Sequence, residues 1–412
     1  MSVVIIGAGQ AGLQVADSLR TEGYTDRITV VSEENELPYQ RPPLSKDYMT
    51  PGTNPAPLPL RGPEFFREND IRLLTGITAT AVDRASRRVA LSDGTDLPYE
   101  HLVLATGARN RRLSCPGADL AGIHGLRTLA DAETLHAALP AARRVVVIGA
   151  GFIGLEFAAA ARAHGCQTTV LEYASRPMGR ALSPRMADWF ASAHTAIGVD
   201  LRLDEGIERF EADDAGGVRA VVSTRAQSYP ADLVVIGVGV LPNDDLAADA
   251  GLETDNGIVV DHTLRTSDPR ILAVGDCATF PNVHAGTRTR LESVQNAVDQ
   301  ARHAARTVLG HDDPYTALPW FWSIQGPYRL QIAGLSHPED DTLVLGDPAA
   351  AKFSILCFRN GNLTAVESVN RPADHQAART LLAGGVCITR TEAAAEGFSL
   401  KAAATMPVPV RV

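Results

Sequence analysis

The feature that most constrains this 412-residue chain is a segment that occurs twice. Residues 3–23 read VVIIGAGQAGLQVADSLRTEG, and residues 145–165 read VVVIGAGFIGLEFAAAARAHG. Each copy is an apolar run with the composition of a buried parallel strand, then G-x-G-x-x-G, then an alanine-rich run typical of a helix. The repeat therefore predicts two strand–turn–helix units of the Rossmann type, each of them a candidate site for a dinucleotide.

The glycines of each copy have distinct physical roles. The first permits a tight turn, the second lets the backbone approach a pyrophosphate, and the third lets the helix pack closely on the strand. The N-terminus of the helix adds N–H groups and a partial positive charge for the phosphates. These glycines are Gly7, Gly9 and Gly12 in the first copy and Gly149, Gly151 and Gly154 in the second.

An acidic residue ends the next apolar strand after each copy. Glu33 follows ITVVS, and Glu172 follows TTVL. A carboxylate at this position accepts hydrogen bonds from ribose hydroxyls and repels a 2′-phosphate, so we expect the second site to prefer NADH to NADPH. A solvated acid is the alternative for both residues, and Arg176 and Arg180 leave a 2′-phosphate contact open. Two sites in one chain suggest two dinucleotides, FAD in one and NAD in the other.

The rest of the chain is organised around these two segments. A proline-rich stretch after the first copy predicts an irregular loop, and the apolar runs LVLATGA and LVVIGVG predict further buried strands. From PWFW onward, short alternating strands and a final helix are typical of a separate α+β domain. We predict an FAD-binding domain over 1–112 and 241–317, an NAD-binding domain over 113–240 inserted into it, and a C-terminal domain over 318–412.

Composition argues against several other classes of protein. No segment approaches the roughly 18 apolar residues of a membrane-spanning helix, and the opening strand lacks a basic region and a cleavage site, so we expect a soluble, cytoplasmic protein without a membrane partner. The formal net charge of -10 argues against a nucleic-acid-binding face. The 5 cysteines show no CxxC or metal-ligand spacing, which argues against a disulfide framework and a metal site.

Six motifs in register carry a resemblance to a known family. YQRPPLSK, LVLATGAR, GAGFIGLE, TSDPRILAVGDCA, ESVQNA and PWFW-S-x-Q occur in this order along the chain. The sequence resembles the FAD-dependent ferredoxin reductases of bacterial oxygenase systems, the group of putidaredoxin reductase and palustrisredoxin reductase. The resemblance implies an α/β fold of glutathione-reductase-like architecture, with two Rossmann-like dinucleotide-binding domains and a C-terminal α+β domain.

The resemblance also implies an FAD site along the first glycine segment. Ala11 would lie beside the pyrophosphate, Glu33 on the adenosine ribose and Asp276 on the ribityl chain. Asp276 as a helix N-cap and Trp322 as a core residue are the alternatives at those two positions. The residues implied for FAD are Gly7, Gly9, Ala11, Gly12, Glu33, Arg41, Lys46, Ala79, Thr106, Arg127, Asp276, Val294 and Trp322.

For NAD, the resemblance places Glu156 near the nicotinamide and within reach of Lys46, which makes these two the predicted catalytic residues. The lysine would stabilise the charge of reduced flavin, and the acid would keep the lysine charged. A surface ion pair is the alternative. The residues implied for NAD are Gly149, Gly151, Gly154, Glu156, Glu172, Arg180, Gly239 and Glu292, with Glu292 also bordering the isoalloxazine together with Trp322.

The implied activity is NADH:ferredoxin oxidoreduction, in which electrons pass from NADH through FAD to a small 2Fe-2S ferredoxin that feeds a monooxygenase or dioxygenase. Disulfide reductases and related NADH oxidases carry a redox-active cysteine near the flavin. This chain has neither the cysteine pair of the disulfide reductases nor the single cysteine of the oxidases, in whose segment Leu44, Ser45 and Lys46 stand. Cys277 is expected to be structural. An NADH oxidase, a quinone reductase and a flavin-dependent binding protein like apoptosis-inducing factor are the alternatives.

The expected partner is a small acidic ferredoxin, which a local basic patch would steer. Candidates for this patch are Arg61, Arg302, Arg329 and Lys401. The chain departs from the family at Ile324, where the motif W-S-D-Q usually has an acid. This departure concerns hydrogen bonding near the flavin or the acceptor surface and neither dinucleotide segment.

Overall fold

The computed structural model describes residues 2–53, 56 and 58–405, which fall into two compact units. The first unit comprises Met1–Gln40, Pro57–Arg109 and Val240–Pro319. The second comprises Arg41–Ala56, Asn110–Gly239 and Trp320–Val412. The second unit thus holds both the second glycine segment and the C-terminal strands, and the division into three domains stays a prediction.

The helices and strands alternate along most of the chain. The helices are α1 (Gln10–Thr21), α2 (Pro63–Glu68), α3 (Leu129–Ala138), α4 (Phe152–Ala163), α5 (Pro184–Ala196), α6 (Asp245–Asp249), α7 (Val294–Val308), α8 (Pro372–Ala383), α9 (Arg390–Ala393) and α10 (Leu400–Thr405). The strands are β1 (Ser2–Ile6), β2 (Arg27–Val31), β3 (Ile71–Leu74), β4 (Ala79–Asp83), β5 (Arg88–Leu91), β6 (Asp96–Pro98), β7 (His101–Leu104), β8 (Ala108–Asn110), β9 (Ile123–Gly125), β10 (Arg144–Ile148), β11 (Gln167–Leu171), β12 (Val199–Arg202), β13 (Ile207–Ala212), β14 (Val218–Ser223), β15 (Ser228–Pro230), β16 (Leu233–Ile236), β17 (Val240–Pro242), β18 (Ile258–Val259), β19 (Ile271–Ala273), β20 (Ala278–Asn282), β21 (Thr287–Thr289), β22 (Trp320–Gln325), β23 (Tyr328–Gly334), β24 (Asp341–Asp347), β25 (Lys352–Arg359) and β26 (Asn362–Val369).

The first unit is built on a five-stranded parallel sheet in the order β19-β7-β1-β2-β3. The β-branched run VVII of β1 lies in the middle of this sheet, and Val3, Val4 and Ile5 are at most 1% exposed. Strands buried on both faces need apolar side chains on both faces, which explains why the run does not alternate. Helix α7 follows β19 in the chain after a short antiparallel segment, and Ser293 caps its N-terminus.

The second unit contains a parallel sheet of the same kind, in the order β12-β11-β10-β16-β9. It also contains a five-stranded antiparallel sheet, β22-β23-β26-β25-β24, whose core includes residues of helix α8. The α/β class and the antiparallel C-terminal sheet agree with the sequence prediction. In the described part of the chain, none of the helices has the length and apolar character that crossing a membrane requires.

Candidate functional site

The turn between β1 and α1 leaves open space at its middle glycine and none at the other two. A methyl group on Gly7 would lie 2.2 Å from the carbonyl oxygen of Ala105, and one on Gly12 would lie 1.9 Å from that of Gly7. A methyl group on Gly9 would meet no atom within 4 Å. Gly9 is also the N-cap of α1 and provides no side-chain cap for the first N–H groups. The space and the uncapped helix end fit the pyrophosphate of a dinucleotide.

The turn between β10 and α4 in the second unit repeats this geometry. Methyl groups on Gly149 and Gly154 would lie 2.5 Å and 2.2 Å from the carbonyl oxygens of Gly237 and Gly149, respectively. A methyl group on Gly151 would keep 3.8 Å from its nearest neighbour, and Gly151 is the N-cap of α4 without a side-chain cap. Both copies of the repeat therefore form a cradle of the kind that receives a pyrophosphate.

Glu172 is tied to the second cradle by its own carboxylate. Its Oε2 accepts a hydrogen bond from the backbone N–H of Ala150 at 2.7 Å, and its Oε1 accepts one from Ala174 at 2.8 Å. Ala150 belongs to the glycine turn, so the acid stands beside the place where a ribose joins the pyrophosphate. The alternative of a free, solvated acid does not describe Glu172. Glu33, by contrast, is exposed at the end of β2.

The two arginines that left a 2′-phosphate contact open differ in their surroundings. Arg176 is exposed and forms an ion pair with Asp188 at 2.9 Å. Arg180 is exposed and lies next to Gly239, since a methyl group on Gly239 would be 3.4 Å from its guanidinium. The loop that carries both is held to the glycine turn by a hydrogen bond from Met178 N–H to the carbonyl oxygen of Ala150 at 2.9 Å.

Glu156 lies in a buried polar cluster of the second unit. Its Oε2 accepts hydrogen bonds from Ser45 Oγ at 2.5 Å and from Lys46 Nζ at 2.8 Å. Its Oε1 accepts one from Ser323 Oγ at 2.6 Å. The side chains of Lys46 and Glu156 are 12% and 2% exposed, so the pair is not a surface ion pair. The structure brings the two predicted catalytic residues into contact, within the unit that holds the second cradle.

The cluster continues from Ser323 to two residues that sequence analysis did not single out. Gln325 Nε2 lies 3.1 Å from Ser323 Oγ, and Gln325 Oε1 lies 2.7 Å from His194 Nε2. Ser45, Ser323 and Gln325 stand inside the motifs LSK and W-S-x-Q, which is the signal that could have revealed them. His194 lies near the end of α5, 131 residues from Gln325, and no local pattern marks it.

Within the first unit, residues implied for FAD surround the start of α1. Gly275, at the beginning of the turn Gly275–Cys277, approaches Ala11 so closely that a methyl group on it would lie 3.0 Å from the Ala11 Cβ. Asp276 is therefore in the segment next to the first cradle. The cap of α7 is Ser293, whose Oγ accepts a hydrogen bond from the N–H of Asn296 at 3.0 Å, so Asp276 is not that helix's N-cap.

Several of the other residues implied for FAD or NAD have hydrogen-bond, ion-pair or ring partners within the protein. Thr106 donates a hydrogen bond to the carbonyl oxygen of Asn243 at 2.5 Å, and Glu292 pairs with Arg290 at 2.8 Å. The remaining positions are Ala79, the first residue of β4; Val294, the first residue of α7; Trp322, on β22 with its ring 5.6 Å from that of Trp320; and Arg41, which donates to the carbonyl oxygen of Arg127 at 2.8 Å.

Cys277 is fully buried, and burial raises the pKa of its thiol. Its Sγ donates to the carbonyl oxygen of Val274 at 3.3 Å. A neutral thiol without solvent access is a poor nucleophile, which agrees with the expected structural role. Among the described residues, no group of three or more histidine, cysteine, aspartate or glutamate side chains could hold a metal ion.

The four residues proposed for the basic patch are divided between the two units. Arg61 and Arg302 lie in the first unit, where Arg61 pairs with Asp17 at 2.6 Å and Arg302 approaches Asp299 at 3.9 Å. Arg329 and Lys401 are exposed on the C-terminal part of the second unit.

Comparisons with known proteins identify the family to which the chain belongs. Residues 1–301 match the family model described as pyridine nucleotide-disulphide oxidoreductase, and residues 320–404 match the reductase C-terminal model. Rhodocoxin reductase of Rhodococcus erythropolis is 49% identical over 98% of this chain and 94% of its own length. The structure of the ferredoxin reductase for the CYP199A2 system from Rhodopseudomonas palustris superposes with a TM-score of 0.95 at 46% identity, over 98% of this chain and 99% of that one.

A further solved structure is the covalent complex of putidaredoxin reductase with putidaredoxin. It superposes with a TM-score of 0.94 at 38% identity and covers 98% of both chains. The chain therefore belongs to the pyridine nucleotide-disulphide oxidoreductase family and, within it, to the ferredoxin reductases.

Proposed function

We propose that this protein passes electrons from NADH through FAD to a small 2Fe-2S ferredoxin that feeds a bacterial monooxygenase or dioxygenase. The observation that carries the proposal is the pair of open glycine cradles in one chain, because a reductase of this kind needs one dinucleotide site for the donor and one for the flavin. The relatives named above include the reductase of a CYP199A2 system and a reductase covalently joined to putidaredoxin.

FAD, when bound, supplies the chemistry of the reaction, because it accepts two electrons together and returns them one at a time. In the first unit, the N–H groups at the start of α1 and the space over Gly9 would hold its pyrophosphate, with Glu33 on the ribose and Asp276 on the ribityl chain. For Ala79, Thr106 and Val294 the flavin contacts remain predictions from the resemblance. The same is true of the second-unit residues Arg41, Lys46, Arg127 and Trp322.

The proposed site for the electron donor NADH belongs to the second unit. The space over Gly151 and the start of α4 would receive the pyrophosphate of NADH, and Glu172 would accept hydrogen bonds from the adenosine ribose. Asp188 pairs with Arg176 and so offsets the charge of that arginine. The Glu172 carboxylate would then face the ribose and disfavour a 2′-phosphate. We therefore propose a preference for NADH over NADPH, with Arg180 and Gly239 bordering the bound nucleotide.

Glu156 and Lys46 are proposed to act on the nicotinamide side of this reaction. Glu156 is on the second turn of α4, the helix whose first turn would receive the pyrophosphate, so its carboxylate would lie close to the donor site. The three hydrogen bonds that it accepts fix both of its oxygens and aim Lys46 Nζ. Because the charges of Glu156 and Lys46 are already held in place, these side chains need to move little when charge develops between the cofactors. Such preorganised groups stabilise the transition state of hydride transfer.

The acceptor side is proposed to rely on electrostatic steering. Arg329 and Lys401 are the stronger of the four basic candidates, because Arg61 and Arg302 each stand beside an aspartate. Charge-steered encounters weaken as salt screens the charges, so ferredoxin reduction should slow with ionic strength while reduction of the flavin by NADH does not. We place the reaction in the cytoplasm, where NADH is produced; recovery of the flavoprotein from another cell fraction would contradict this placement.

The test is anaerobic rapid mixing of the flavin-loaded protein with NADH and, separately, with NADPH, followed by an oxidised 2Fe-2S ferredoxin. Flavin and iron–sulfur absorbance are recorded. Fast bleaching by NADH and rapid ferredoxin reduction are expected. Fast bleaching without reduction of any of a panel of 2Fe-2S ferredoxins would move the acceptor to oxygen or quinones. Slow bleaching with a long-lived long-wavelength absorbance would instead favour a binding protein.

A further inference from the structure

The polar cluster around Glu156 does not end at the residues that touch the carboxylate. It continues through Ser323 and Gln325 to His194, and all of these side chains are buried in the second unit. We propose that Gln325 and His194 are positioning residues for hydride transfer, because they orient the hydroxyl of Ser323 toward Glu156 and so fix the ion pair with Lys46. This proposal rests on the proposed role of Glu156 in that reaction.

The direction of each hydrogen bond follows from the number of protons available. An ionised carboxylate only accepts, so the single proton of the Ser323 hydroxyl goes to Glu156 Oε1 at 2.6 Å. Ser323 Oγ can then only accept from Gln325, which must present its amide N–H at 3.1 Å. Met178 Sδ, at 3.3 Å from the same nitrogen, is also an acceptor. Gln325 Oε1 therefore faces His194.

The same reasoning determines the tautomer of His194. Gln325 Oε1 has no proton, so the bond of 2.7 Å requires a proton on His194 Nε2. Nδ1 of His194 is buried and has no hydrogen-bond partner in the described part of the chain, so a proton there would be an unsatisfied donor. Burial lowers the pKa of His194, opposed by the hydrogen bond to Gln325, which agrees with a neutral ring carrying its proton on Nε2.

His194, Gln325 and Ser323 thus form a row of hydrogen-bond donors that ends at the Glu156 carboxylate. His194 donates to Gln325, Gln325 donates to Ser323, and Ser323 donates to Glu156. Without the first two members, the Ser323 hydroxyl could turn toward other acceptors and the carboxylate could rotate. Rotation would move the oxygen that Ser45 and Lys46 share, and with it the ammonium group of Lys46.

The helix that carries His194 is held at its start and at its middle. At its start, Ser183 donates hydrogen bonds from its N–H and its Oγ to Glu367, at 2.7 Å and 2.6 Å. Along its length, the ring of Trp189 packs edge-on against Tyr328 at 5.2 Å between ring centres. Ser183 thus anchors the same helix as His194 without touching the row, which makes it a matched control.

The experiment compares His194→Leu with His194→Gln in the flavin-loaded full-length protein. Glutamine can place an amide N–H close to the position of Nε2, whereas leucine has no donor. The limiting rate of flavin reduction at saturating NADH and the apparent Kd of NADH are measured by anaerobic rapid mixing. Losing the donation of one buried hydrogen bond should slow the limiting rate by about three- to tenfold in His194→Leu, with an unchanged Kd. His194→Gln should retain the wild-type rate.

Two further variants separate positioning from loss of structure. Ser183→Ala weakens the anchor of α5 and should lower the melting temperature without changing the limiting rate. Gln325→Met keeps the volume of the side chain but removes both amide groups, and it should reproduce the slow reduction of His194→Leu even if the latter does not fold. Equal rates in wild type, Gln325→Met and His194→Leu, or slowing by Ser183→Ala to the same degree, would overturn the proposal.

Glu156→Gln distinguishes this proposal from the proposed function on which it rests. If Glu156→Gln slows flavin reduction and the His194 and Gln325 variants do not, Glu156 acts without the row and the inference is wrong. If Glu156→Gln itself reduces at the wild-type rate, the role proposed for Glu156 is wrong, and the inference is overturned with it.

Discussion

The two copies of the glycine segment have the same cradle but differ at the residue two positions after the third glycine. In the first copy, Gln14 occupies this position on α1 and donates a hydrogen bond to Ser18 Oγ at 3.0 Å, one turn further along the same helix. In the second copy, Glu156 occupies it on α4 and is bound by Ser45, Lys46 and Ser323. The first side chain has a local partner, and the second has partners 110 or more residues away.

The elements that pack beside the two helices explain this difference. Helix α1 lies against α7, whose buried positions include four alanines, and Gln14 finds its hydrogen-bond partner on its own helix. Helix α4 lies against β22, where the ring of Phe321 packs at a tilt on that of Phe152, 4.5 Å between ring centres, and Ser323 donates to the Glu156 carboxylate. The comparison teaches that the repeat makes two cradles of the same geometry, and that a neighbouring strand adds a buried polar cluster beside one of these two helices.

The largest effect is expected from closing each cradle in turn. Gly12→Ala and Gly154→Ala each place a methyl group about 2 Å from a carbonyl oxygen, at 1.9 Å and 2.2 Å, so the helix must shift away from its turn. We expect Gly12→Ala to yield protein without flavin. Gly154→Ala should remain yellow but should no longer be bleached by NADH. Flavin content after purification and anaerobic titration measure both outcomes, and a flavin-free Gly154→Ala protein would break the assignment of the two cradles.

The next largest effect is expected at Lys46. Lys46→Ala removes a charged hydrogen bond from Glu156 and should slow flavin reduction by about ten- to a hundredfold, far more than it lowers the melting temperature. Gln14→Ala, at the position in the first copy that corresponds to Glu156, should reduce at the wild-type rate. Wild-type reduction by Lys46→Ala would remove this lysine from the electron path.

A smaller effect is expected at Glu172, the acid that follows the second strand of the second repeat. Glu172→Ala should relax the preference for NADH over NADPH by roughly tenfold, the worth of one carboxylate facing a phosphate near the surface. Arg176→Ala should leave the preference unchanged, because Asp188 already pairs with that guanidinium. The ratio of kcat/KM for the two donors is the measurement, and an unchanged ratio in Glu172→Ala would argue against its contact with the ribose.

The smallest effect concerns acid stability of the unit that holds the second cradle. His375 is 3% exposed, and burial together with the charges of Arg379 and Arg329 lowers its pKa to about 4. Since the unfolded chain binds the proton more readily, this histidine's contribution to stability is present above about pH 6.5 and is lost as the pH falls toward 4. His375→Phe should flatten the fall of the melting temperature over that range, and an equally steep fall would show that other groups dominate.

Much of the fold was predictable because its signals are local. The apolar runs of β1 and β10, the glycines after them and the acids that follow lie within about thirty residues of one another, as in other Rossmann units. The predicted contact of Lys46 with Glu156 came from the resemblance to known reductases. The alternative that Asp276 is a helix N-cap was wrong. The cap of α7 is Ser293, which accepts from the N–H of Asn296 three residues later, and serine at this position is a capping signal that the sequence alone could have revealed.

The sequence by itself determined that this chain builds two dinucleotide cradles, since each cradle needs only a strand, three glycines and a helix in immediate succession. Only the tertiary structure decided which side chains complete the polar cluster around Glu156, the reaction site proposed above. His194 and Gln325 meet across 131 residues, and Ser323 and Glu156 across 167. Contacts of this length depend on how α5 and β22 pack, and a side chain's position on its own helix or strand does not specify the partner it will meet.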